Sequence, residues 1–347
     1  MNEIRWPNDL LEPVLITYNR SACLKRTLDS FLQAGCASMR LHVLDNASTD
    51  ETPRVVKEIQ GKWPALAYHR NPYNIGGNAN ILRAVEVSDT PYHWVIGDDD
   101  KWYLHGEDLE ELFSVLREGS ADIIRLGWLV SPENRGKLLP GRDLAQTESQ
   151  FFASLSMISA TILRRSLVTR YLAHAYLNTG DCFPQLVPVM LGIEREEPLV
   201  YNLSRDLMLH TPNEEPGFLW GLDFPVGWFR SSRFLEDPKM RRKFVNEIMV
   251  YFKRDMPRSI ADAKLLFSFF NIIINNKARG LDQTSRLLSM IVYGKGWRLP
   301  LATLLAPCFL VPKFLARFIC SLYDRIVHKK SRDAYFKDII GHRESRL

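Results

Sequence analysis

The alternation of apolar and polar segments up to residue 100 constrains the fold more than any other feature of the chain. Short apolar segments with strand propensity lie at 13–18, 41–44, 66–69 and 93–97. Segments with helical apolar spacing separate them, and the connections are short. Alternating strands and helices of this kind form a mostly parallel sheet covered by helices on both faces. The sequence therefore predicts an α/β fold.

Polar side chains follow three of these predicted strands, at the point where each strand ends. Thr17, Tyr18 and Asn19 end the first strand, Asp45 and Asn46 end the second, and Asp98–Asp100 follow the fourth. Ligands of open α/β sheets bind outside the carboxyl ends of the strands, which is where a nucleotide site is expected. Adjacent carboxylates repel one another unless they are solvated or neutralised, and a hard divalent cation that bridges to substrate phosphates is the usual solution. The alternative interpretation is an acidic surface turn.

Two further features suit a phosphate ligand. The segment Asn74-Ile75-Gly76-Gly77-Asn78 is a polar, glycine-rich loop before a predicted helix, where backbone N–H groups can approach a phosphate. Arg20 can offer a planar fork of donors to a diphosphate. An ordinary glycine-rich loop and an exposed surface arginine explain the same residues nearly as well.

The composition limits the class of protein. The 347 residues are 46% hydrophobic and 24% charged, which allows a sizeable core, and a net charge of +5 without a nucleic-acid motif gives little support to nucleic-acid binding. The five cysteines are scattered without a Cys-x-x-Cys pair, which favours a reducing compartment over a disulfide framework or a zinc site. We find no signal-peptide pattern and no apolar run of about 18 residues, so we expect a cytoplasmic protein.

Four motifs between residues 14 and 103 occur in a recognisable order and spacing. They are Ile16–Arg20, Asp45–Thr52 with the pattern Asp-Asn-x-Ser-x-Asp-x-Thr, Asn74–Asn80 with Asn-x-Gly-Gly-x-x-Asn, and the acidic run after the fourth strand. Together they resemble the nucleotide-binding half of family 2 glycosyltransferases. The resemblance covers about the first third of the chain firmly and the middle third loosely. It implies the GT-A fold, a Rossmann-like, mostly parallel sheet flanked by helices.

The resemblance also implies the reaction and the donor site. Family members of the bacterial cell-surface polysaccharide type move a sugar from a nucleotide diphosphate to a hydroxyl of a glycan or lipid-linked acceptor, and we favour a UDP-sugar here. Asp45 takes the position that contacts the base, and Tyr18 is available to pack on that base; helix capping and strand-end packing are the alternatives. The residues assigned to donor binding are Thr17, Tyr18, Asn19, Arg20, Asp45, Asn74, Gly76, Gly77 and Asp98.

A metal site, with Mn²⁺ or Mg²⁺ as the cofactor, is implied by the same resemblance. Family members usually carry Asp-x-Asp at the acidic run. If Gly97 takes the first position, Asp99 is the second acidic residue and the direct ligand; if Asp98 is first, Asp100 is second. We favour Asp99 because the strand then aligns without a gap. The predicted metal ligands are Asp99, Asp100 and a late histidine, His210, for which a structural role is the alternative.

An inverting reaction needs a carboxylate that takes the proton of the acceptor hydroxyl. In the family this base opens a helix after the strand–helix unit that follows the donor half, and Asp181 fits that place. The alternative for Asp181 is an ordinary helix N-cap, and Glu194, Glu196 and Glu197 are other candidate bases. Strands are predicted at 122–130 and 157–163, and the polar stretch 132–147 is predicted as a loop near the acceptor.

The predicted domains are a GT-A catalytic domain over 1–230 and a C-terminal helical region over 231–347. The first comprises a nucleotide-binding half, about 10–105, and an acceptor half, about 106–230. Residues 297–330 combine apolar stretches with basic residues, which favours contact with an anionic membrane surface at the inner face of the plasma membrane. Packing on the catalytic core or on a second subunit is the alternative.

Two other functional classes fit a fold of this kind. Sugar-1-phosphate nucleotidyltransferases share a related fold, but they carry a glycine-rich loop with Arg and Lys after the first strand, where this chain has Thr17–Ser21. A non-catalytic binding or assembly protein is the other alternative, supported by Gly97 and opposed by the intact carboxylates. Measurements of nucleotide binding and of turnover would distinguish the glycosyltransferase, the nucleotidyltransferase and the non-catalytic protein.

Overall fold

The computed structural model describes residues 4–102, 106–180, 183–209, 228, 231–247, 311–312 and 314–319. The chain divides into two compact units, Met1–Phe252 and Lys253–Leu347. All strands and helices labelled below belong to the first unit. Within the described part of the chain, no helix is both long enough and apolar enough to cross a membrane.

The first half of this unit alternates strands and helices as predicted. The elements are β1 (Val14–Thr17), α1 (Ser21–Gln33), β2 (Leu41–Asp45), α2 (Thr52–Gln60), β3 (Leu66–Arg70), α3 (Gly77–Arg83) and β4 (Tyr92–Gly97). β1 pairs in parallel with both β2 and β4, and β2 pairs in parallel with β3. The carboxyl ends of these strands therefore meet at one edge of the sheet.

The second half extends the same sheet in mixed directions. Its elements are β5 (Lys101–Trp102), α4 (Gly106–Glu118), β6 (Ile123–Arg125), β7 (Lys137–Pro140), α5 (Gly141–Thr147), α6 (Phe151–Ser156), β8 (Thr161–Arg164), α7 (Arg165–Arg170), α8 (Leu172–Tyr176), α9 (Leu186–Arg195), β9 (Leu199–Asn202), β10 (Met208–Leu209) and α10 (Pro238–Glu247). Among the described residues the main sheet has eight strands in the order β3-β2-β1-β4-β8-β6-β9-β7, and β5 pairs with β10 in a separate sheet of two strands. β8 is antiparallel to both neighbours, and β7 is antiparallel to β9. This mostly parallel sheet flanked by helices confirms the predicted fold class.

Aromatic side chains fill the core on both faces of the sheet. On one face, Trp94 of β4 stacks with Trp6 at 6.3 Å and meets Trp102 edge-on at 4.9 Å between ring centroids. On the other, Trp228 stacks on Phe244 of α10 at 4.3 Å, and its indole N–H donates to the Phe244 carbonyl. α10 thus packs into the core of the first unit. The predicted domain division after residue 230 stays a prediction.

Three predicted elements after β4 differ from the structure. The strand predicted over 157–163 begins only at Thr161, because Ile158–Ala160 form a 3-10 turn before it. The strand predicted over 122–130 ends at Arg125, because Gly127 (φ 101°) and Leu129 (φ 54°) take left-handed conformations that turn the chain. The stretch 132–147, predicted as a loop, contains β7 and α5. Among the described strands, β7 lies at the edge of the sheet and pairs only with β9, a position that tolerates polar residues.

Candidate active site

The end of β1 meets the end of β4 through a buried hydrogen bond. Thr17 lies opposite Asp45 of β2, and its hydroxyl donates to Asp98 Oδ2 at 2.7 Å. The next turn depends on Asn19, whose left-handed backbone (φ 52°) lets the chain leave the strand. The Asn19 N–H donates to Ser48 Oγ at 2.9 Å, so the loops after β1 and β2 are joined. Tyr18, which lies between Thr17 and Asn19 in the chain, is half-buried.

Asp45 is fully buried at the end of β2, and both of its carboxylate oxygens have partners within the chain. Oδ1 accepts the Ser48 N–H at 2.8 Å, and Oδ2 accepts the Tyr68 hydroxyl at 2.6 Å. Arg70 Nε lies 3.5 Å from the same Oδ2. Burial raises the pKa of Tyr68, and the hydrogen bond to Asp45 adds to the rise. Asp45 therefore shapes the turn after β2, and its contact with a base stays a prediction.

Asn46 holds the glycine-rich loop against the sheet, a role that the sequence did not reveal. Its Nδ2 donates to Asn74 Oδ1 at 2.7 Å, and its Oδ1 accepts the Ile75 N–H at 3.0 Å and the Asn71 Nδ2–H at 3.0 Å. Asn74 Oδ1 also accepts the Gly76 N–H at 2.8 Å. The position of Asn46 directly after Asp45, and its ability to donate and accept at once, are the only local signals of this role.

The two loop glycines differ in what they require. Gly76 has a positive φ of 87°, a conformation that L side chains rarely adopt. A Cβ built on Gly77 meets nothing within 4 Å, so the space beside its backbone is open to a ligand. Asn74 and Gly76 thus form the loop, and Gly77 faces accessible space.

The three aspartates after β4 have different environments. Asp98 is buried, and the Arg20 guanidinium pairs with it, Nη1 lying 2.8 Å from Oδ1. Burial raises the pKa of Asp98 to about 7, although Arg20 and Thr17 act in the opposite direction. Asp99 keeps 26% of its side chain exposed, and Arg20 Nη2 lies 2.9 Å from its Oδ2. Arg20 therefore bridges two neighbouring carboxylates.

The third aspartate, Asp100, turns inward. Its Oδ2 accepts a hydrogen bond from Ser159 Oγ, and Ser159 Oγ itself accepts the Gly97 N–H at 2.8 Å. Burial raises the pKa of Asp100 to about 6. Ser159 is 59 residues further along the chain than Asp100, and nothing in the local sequence points to this contact.

Gly97 occupies a position with no room for a side chain. A Cβ there would lie 2.9 Å from Asp100 Oδ2 and 3.2 Å from Asp99 Oδ1. The carboxylates of the run thus fold over the Gly97 backbone. A side chain at position 97 would therefore force one of these carboxylates to shift.

The donor set at this edge suits a hard divalent cation. It consists of carboxylate and hydroxyl oxygens, which Mg²⁺ and Mn²⁺ prefer, and the Arg20 guanidinium already stands between two carboxylates as a cation. Among the described residues, no group of three or more His, Cys, Asp and Glu side chains is arranged to hold a metal ion. The residues fit a metal that takes one or two protein carboxylates and completes its shell with substrate phosphates.

The predicted base Asp181 and the predicted late ligand His210 lie outside the described residues. The segment just before Asp181 is held close to the glycine-rich loop. Asn78 Nδ2 donates to the Thr179 carbonyl at 3.0 Å. The buried Asn178 side chain donates to Ser231 Oγ at 3.1 Å. The chain that leads into Asp181 is therefore anchored beside the start of α3.

Comparison with known proteins gives the family of this site. Residues 14–166, which contain every described site residue above except Asn178, Thr179 and Ser231, match the family model for glycosyl transferase family 2. This segment, which makes up less than half of the chain, is similar to family 2 glycosyltransferase domains. The chain is 31% identical over 196 residues to the abequosyltransferase RfbV of Salmonella typhimurium, an alignment that covers 54% of each protein. The chain thus spans about half the length of this curated relative.

Solved structures show the same fold for the family 2 domain and the residues around it. A crystal structure of S. aureus TarS 1–349 superposes with a TM-score of 0.55 at 15% identity, covering 92% of each chain. A second TarS structure, in complex with UDP-GlcNAc, gives a TM-score of 0.51 at 15% identity over 76% of this chain and 80% of TarS. At this identity the likeness supports the GT-A fold and nothing finer.

Proposed function

We propose that this chain is a metal-dependent, inverting glycosyltransferase that moves a sugar from a nucleotide diphosphate to a hydroxyl of a glycan or lipid-linked acceptor. One observation carries the proposal: Thr17, Arg20, Asp98 and Asp99 form a single hydrogen-bonded cluster where β1 and β4 end. The family assignment and the name of the abequosyltransferase relative support the reaction class. We favour a UDP-sugar as donor, in line with the UDP-GlcNAc held by TarS.

The donor would lie across the ends of β1, β2 and β4. Asp45 and Tyr18 would meet the base, with Thr17 and Asn19 lining the same pocket. The Arg20 guanidinium fits two phosphate oxygens at once, because its donors form a rigid planar fork. The open space beside Gly77 would receive the diphosphate or the donor sugar, next to the loop that Asn46 holds in place.

Asp99 is the residue we propose as the direct metal ligand. It is the most accessible carboxylate of the run, whereas Asp98 is buried beside Thr17 and Asp100 turns toward Ser159. Asp100 and His210 are further candidates for the metal shell. Mn²⁺ or Mg²⁺ bound there would act as a Lewis acid that neutralises charge on the departing nucleoside diphosphate.

Asp181 is the residue we propose as the catalytic base. An inverting transfer is a direct displacement at the anomeric carbon, so a carboxylate must accept the proton of the attacking hydroxyl. The hydrogen bond between Asn78 and the Thr179 carbonyl supports this role, because it brings the segment before Asp181 next to the donor loop.

A donor-hydrolysis screen tests the reaction class. The purified chain with Mn²⁺ is incubated with UDP-, GDP-, dTDP- and CDP-sugars, and release of the nucleoside diphosphate is measured. We expect release from one nucleotide class, with a UDP-sugar favoured. No release from any donor, together with UTP-dependent conversion of a sugar-1-phosphate, would support a nucleotidyltransferase instead.

The base assignment needs its own variant. With an acceptor in hand, Asp181→Asn should keep donor binding and lose most of its turnover, since general-base catalysis contributes about 10²–10⁴-fold. Glu197→Gln is the matched control, because Glu197 is exposed and is one of the alternative bases. Wild-type turnover in Asp181→Asn, with loss in Glu197→Gln, would move the base role to Glu197.

We also propose that residues 297–330 touch an anionic membrane surface. The described part of this region supports it: residues 314–319 are helical, and Phe314 and Phe318 are 75% and 63% exposed. The full chain should sediment with vesicles that contain phosphatidylglycerol and much less with pure phosphatidylcholine. A Phe314→Ser/Phe318→Ser variant that sediments like the wild type would contradict this contact.

A further inference from the structure

The Arg20 guanidinium lies where two carboxylates of the acidic run converge. Nη1 is 2.8 Å from Asp98 Oδ1 and Nη2 is 2.9 Å from Asp99 Oδ2. We propose that Arg20 competes with divalent cations for Asp99 and that a nucleotide diphosphate releases it, so that metal and nucleotide bind cooperatively. This inference rests on the proposed glycosyltransferase function and adds an order of binding to it.

The charge of Arg20 cannot be removed by ordinary changes in pH. Burial alone would lower the pKa of Arg20, but attraction to Asp98 and Asp99 outweighs burial and raises it. Only 25% of the side chain is exposed, so solvent screens this charge weakly. A divalent cation on the same carboxylate would therefore be repelled by the guanidinium for as long as the guanidinium stays in place.

A diphosphate changes this balance because it carries negative charge and accepts two donors from one guanidinium. Arg20 can exchange the Asp99 carboxylate at Nη2 for a phosphate oxygen and keep the Nη1 contact with Asp98. The anion then lies between the two cations and offsets their repulsion. The Asp99 oxygen that Arg20 leaves becomes available to the metal.

The environments of the two aspartates show which contact Arg20 gives up. Asp98 is buried and also accepts the Thr17 hydroxyl at 2.7 Å, so it is fixed at the strand end. Asp99 is 26% exposed, and water can solvate its carboxylate when the guanidinium leaves. Loss of the contact with Asp99 is therefore the smaller penalty.

The backbone on both sides of this contact is tied together. The Thr27 hydroxyl of α1 donates to the Asp98 carbonyl at 2.8 Å, which fixes the helix that follows Arg20 to the acidic run. The flexible part is the Arg20 side chain itself. Arg20 thus acts as a positioning residue for the metal site, in addition to its proposed contact with the diphosphate.

Direct measurement of Mn²⁺ binding tests this coupling without any turnover. Free Mn²⁺ is quantified by electron paramagnetic resonance at pH 8, with and without UDP, for the wild type and for Arg20→Met. Without UDP we expect Arg20→Met to bind Mn²⁺ about tenfold more tightly than the wild type, and UDP to tighten Mn²⁺ binding about tenfold less in the variant. Equal or weaker Mn²⁺ binding by folded Arg20→Met would overturn the proposal.

Two further variants separate charge from fold. Arg20→Lys keeps the charge, so its Mn²⁺ affinity without UDP should stay within about threefold of the wild type; an affinity equal to that of Arg20→Met would contradict the charge argument. Arg26→Met removes a cation from α1, the helix that follows Arg20, where Arg26 contacts Cys23 Sγ at 3.2 Å, and should behave as the wild type. Circular dichroism confirms that each variant is folded.

The outcomes also separate this inference from the proposed function. If the wild type binds none of UDP, GDP, dTDP and CDP in the presence of Mn²⁺, the proposed function fails, while the comparison of Mn²⁺ alone still tests the competition at Asp99. If Mn²⁺ and UDP bind the wild type cooperatively and Arg20→Met shows the same cooperativity, only the role of Arg20 is wrong.

Discussion

Gly97 is the position where the smallest possible change tests the packing of the acidic run. Replacement by alanine adds one carbon, which would lie 2.9 Å from Asp100 Oδ2 and 3.2 Å from Asp99 Oδ1. Asp100 cannot move away freely, because Ser159 holds the same carboxylate oxygen. The added methyl group must therefore displace a carboxylate from its hydrogen bond or shift the strand end.

The expected loss of stability in Gly97→Ala follows from two opposing effects. Overpacking a close-packed site costs about 1–3 kcal/mol. Alanine also loses less backbone entropy than glycine on folding, which returns about 0.4–1 kcal/mol. Gly97→Ala should therefore lower the free energy of unfolding by about 1–2 kcal/mol.

Urea denaturation followed by fluorescence and circular dichroism measures this difference. Gly77→Ala is the matched control, because nothing lies within 4 Å of its added carbon, and it should be neutral or slightly stabilising. In a Ser159→Ala background, Asp100 is free to turn away, so the cost of Gly97→Ala should fall by about 0.5 kcal/mol or more. Wild-type stability in Gly97→Ala would refute the packing described for Gly97 and Asp100.

Substitutions at three other positions should change the stability of the chain in a direction that the structure gives. Burial raises the pKa of Glu247 from 4.5 to about 7, so the folded chain binds the carboxyl proton of Glu247 more tightly than the unfolded chain does. The stability that protonated Glu247 contributes is therefore full below pH 4.5 and is lost as the pH rises to 7. Glu247→Gln should flatten the stability profile over that range by up to about 3 kcal/mol, and an unchanged profile would contradict the shift. Glu148→Gln should lower the free energy of unfolding, measured by urea denaturation, by about 3–5 kcal/mol, because Arg125 would stay buried with its charge uncompensated. A loss under about 1 kcal/mol would argue against a buried ion pair of Arg125 and Glu148. Asn46→Ala removes the amide that holds the loop at Asn74 and Ile75. It should lower the free energy of unfolding by about 2–3 kcal/mol and weaken UDP binding measured by calorimetry. Unaltered UDP binding would show that the loop does not need Asn46.

The part of the fold up to β4 could be predicted from sequence because its signals are local. Each strand is a short apolar run, each helix has apolar spacing, and parallel pairing places the polar strand ends at one edge. Thr17 and Asp98 were therefore expected to lie together, and the structure joins them by a hydrogen bond across 81 residues. The acidic run was likewise expected at that edge.

The remaining features depend on contacts that no local pattern encodes. β8 enters the sheet antiparallel between β4 and β6, and this insertion brings Ser159 to Asp100. The left-handed turn at Gly127 shortens β6, although the residues on both sides of it have strand propensity. Pairing with β9 makes part of a polar stretch into β7. Each outcome depends on the partner that the segment meets in the fold.

The same limit applies to the roles of individual site residues. Arg20 and Asn74 were recognised by residue type, but their partners were not: Arg20 bridges two aspartates, and Asn74 accepts hydrogen bonds that shape its own loop. Asn46 was recognised only as a polar residue at a strand end, because its role is to position another loop. Residue type predicts the chemistry available at the sheet edge, and the contacts decide which group faces the ligand.

The most direct test of the central claim is calorimetric titration of UDP, GDP, dTDP and CDP into the chain with saturating Mn²⁺ and with EDTA. We predict that one nucleoside diphosphate, with UDP favoured, binds the wild type in Mn²⁺, and that this binding is lost in EDTA or in Asp99→Asn. Asp143→Asn, which changes an aspartate on α5, should bind as the wild type does. Failure of all four nucleotides to bind, or equal binding by Asp99→Asn, would contradict a metal-assisted diphosphate site at the end of β4.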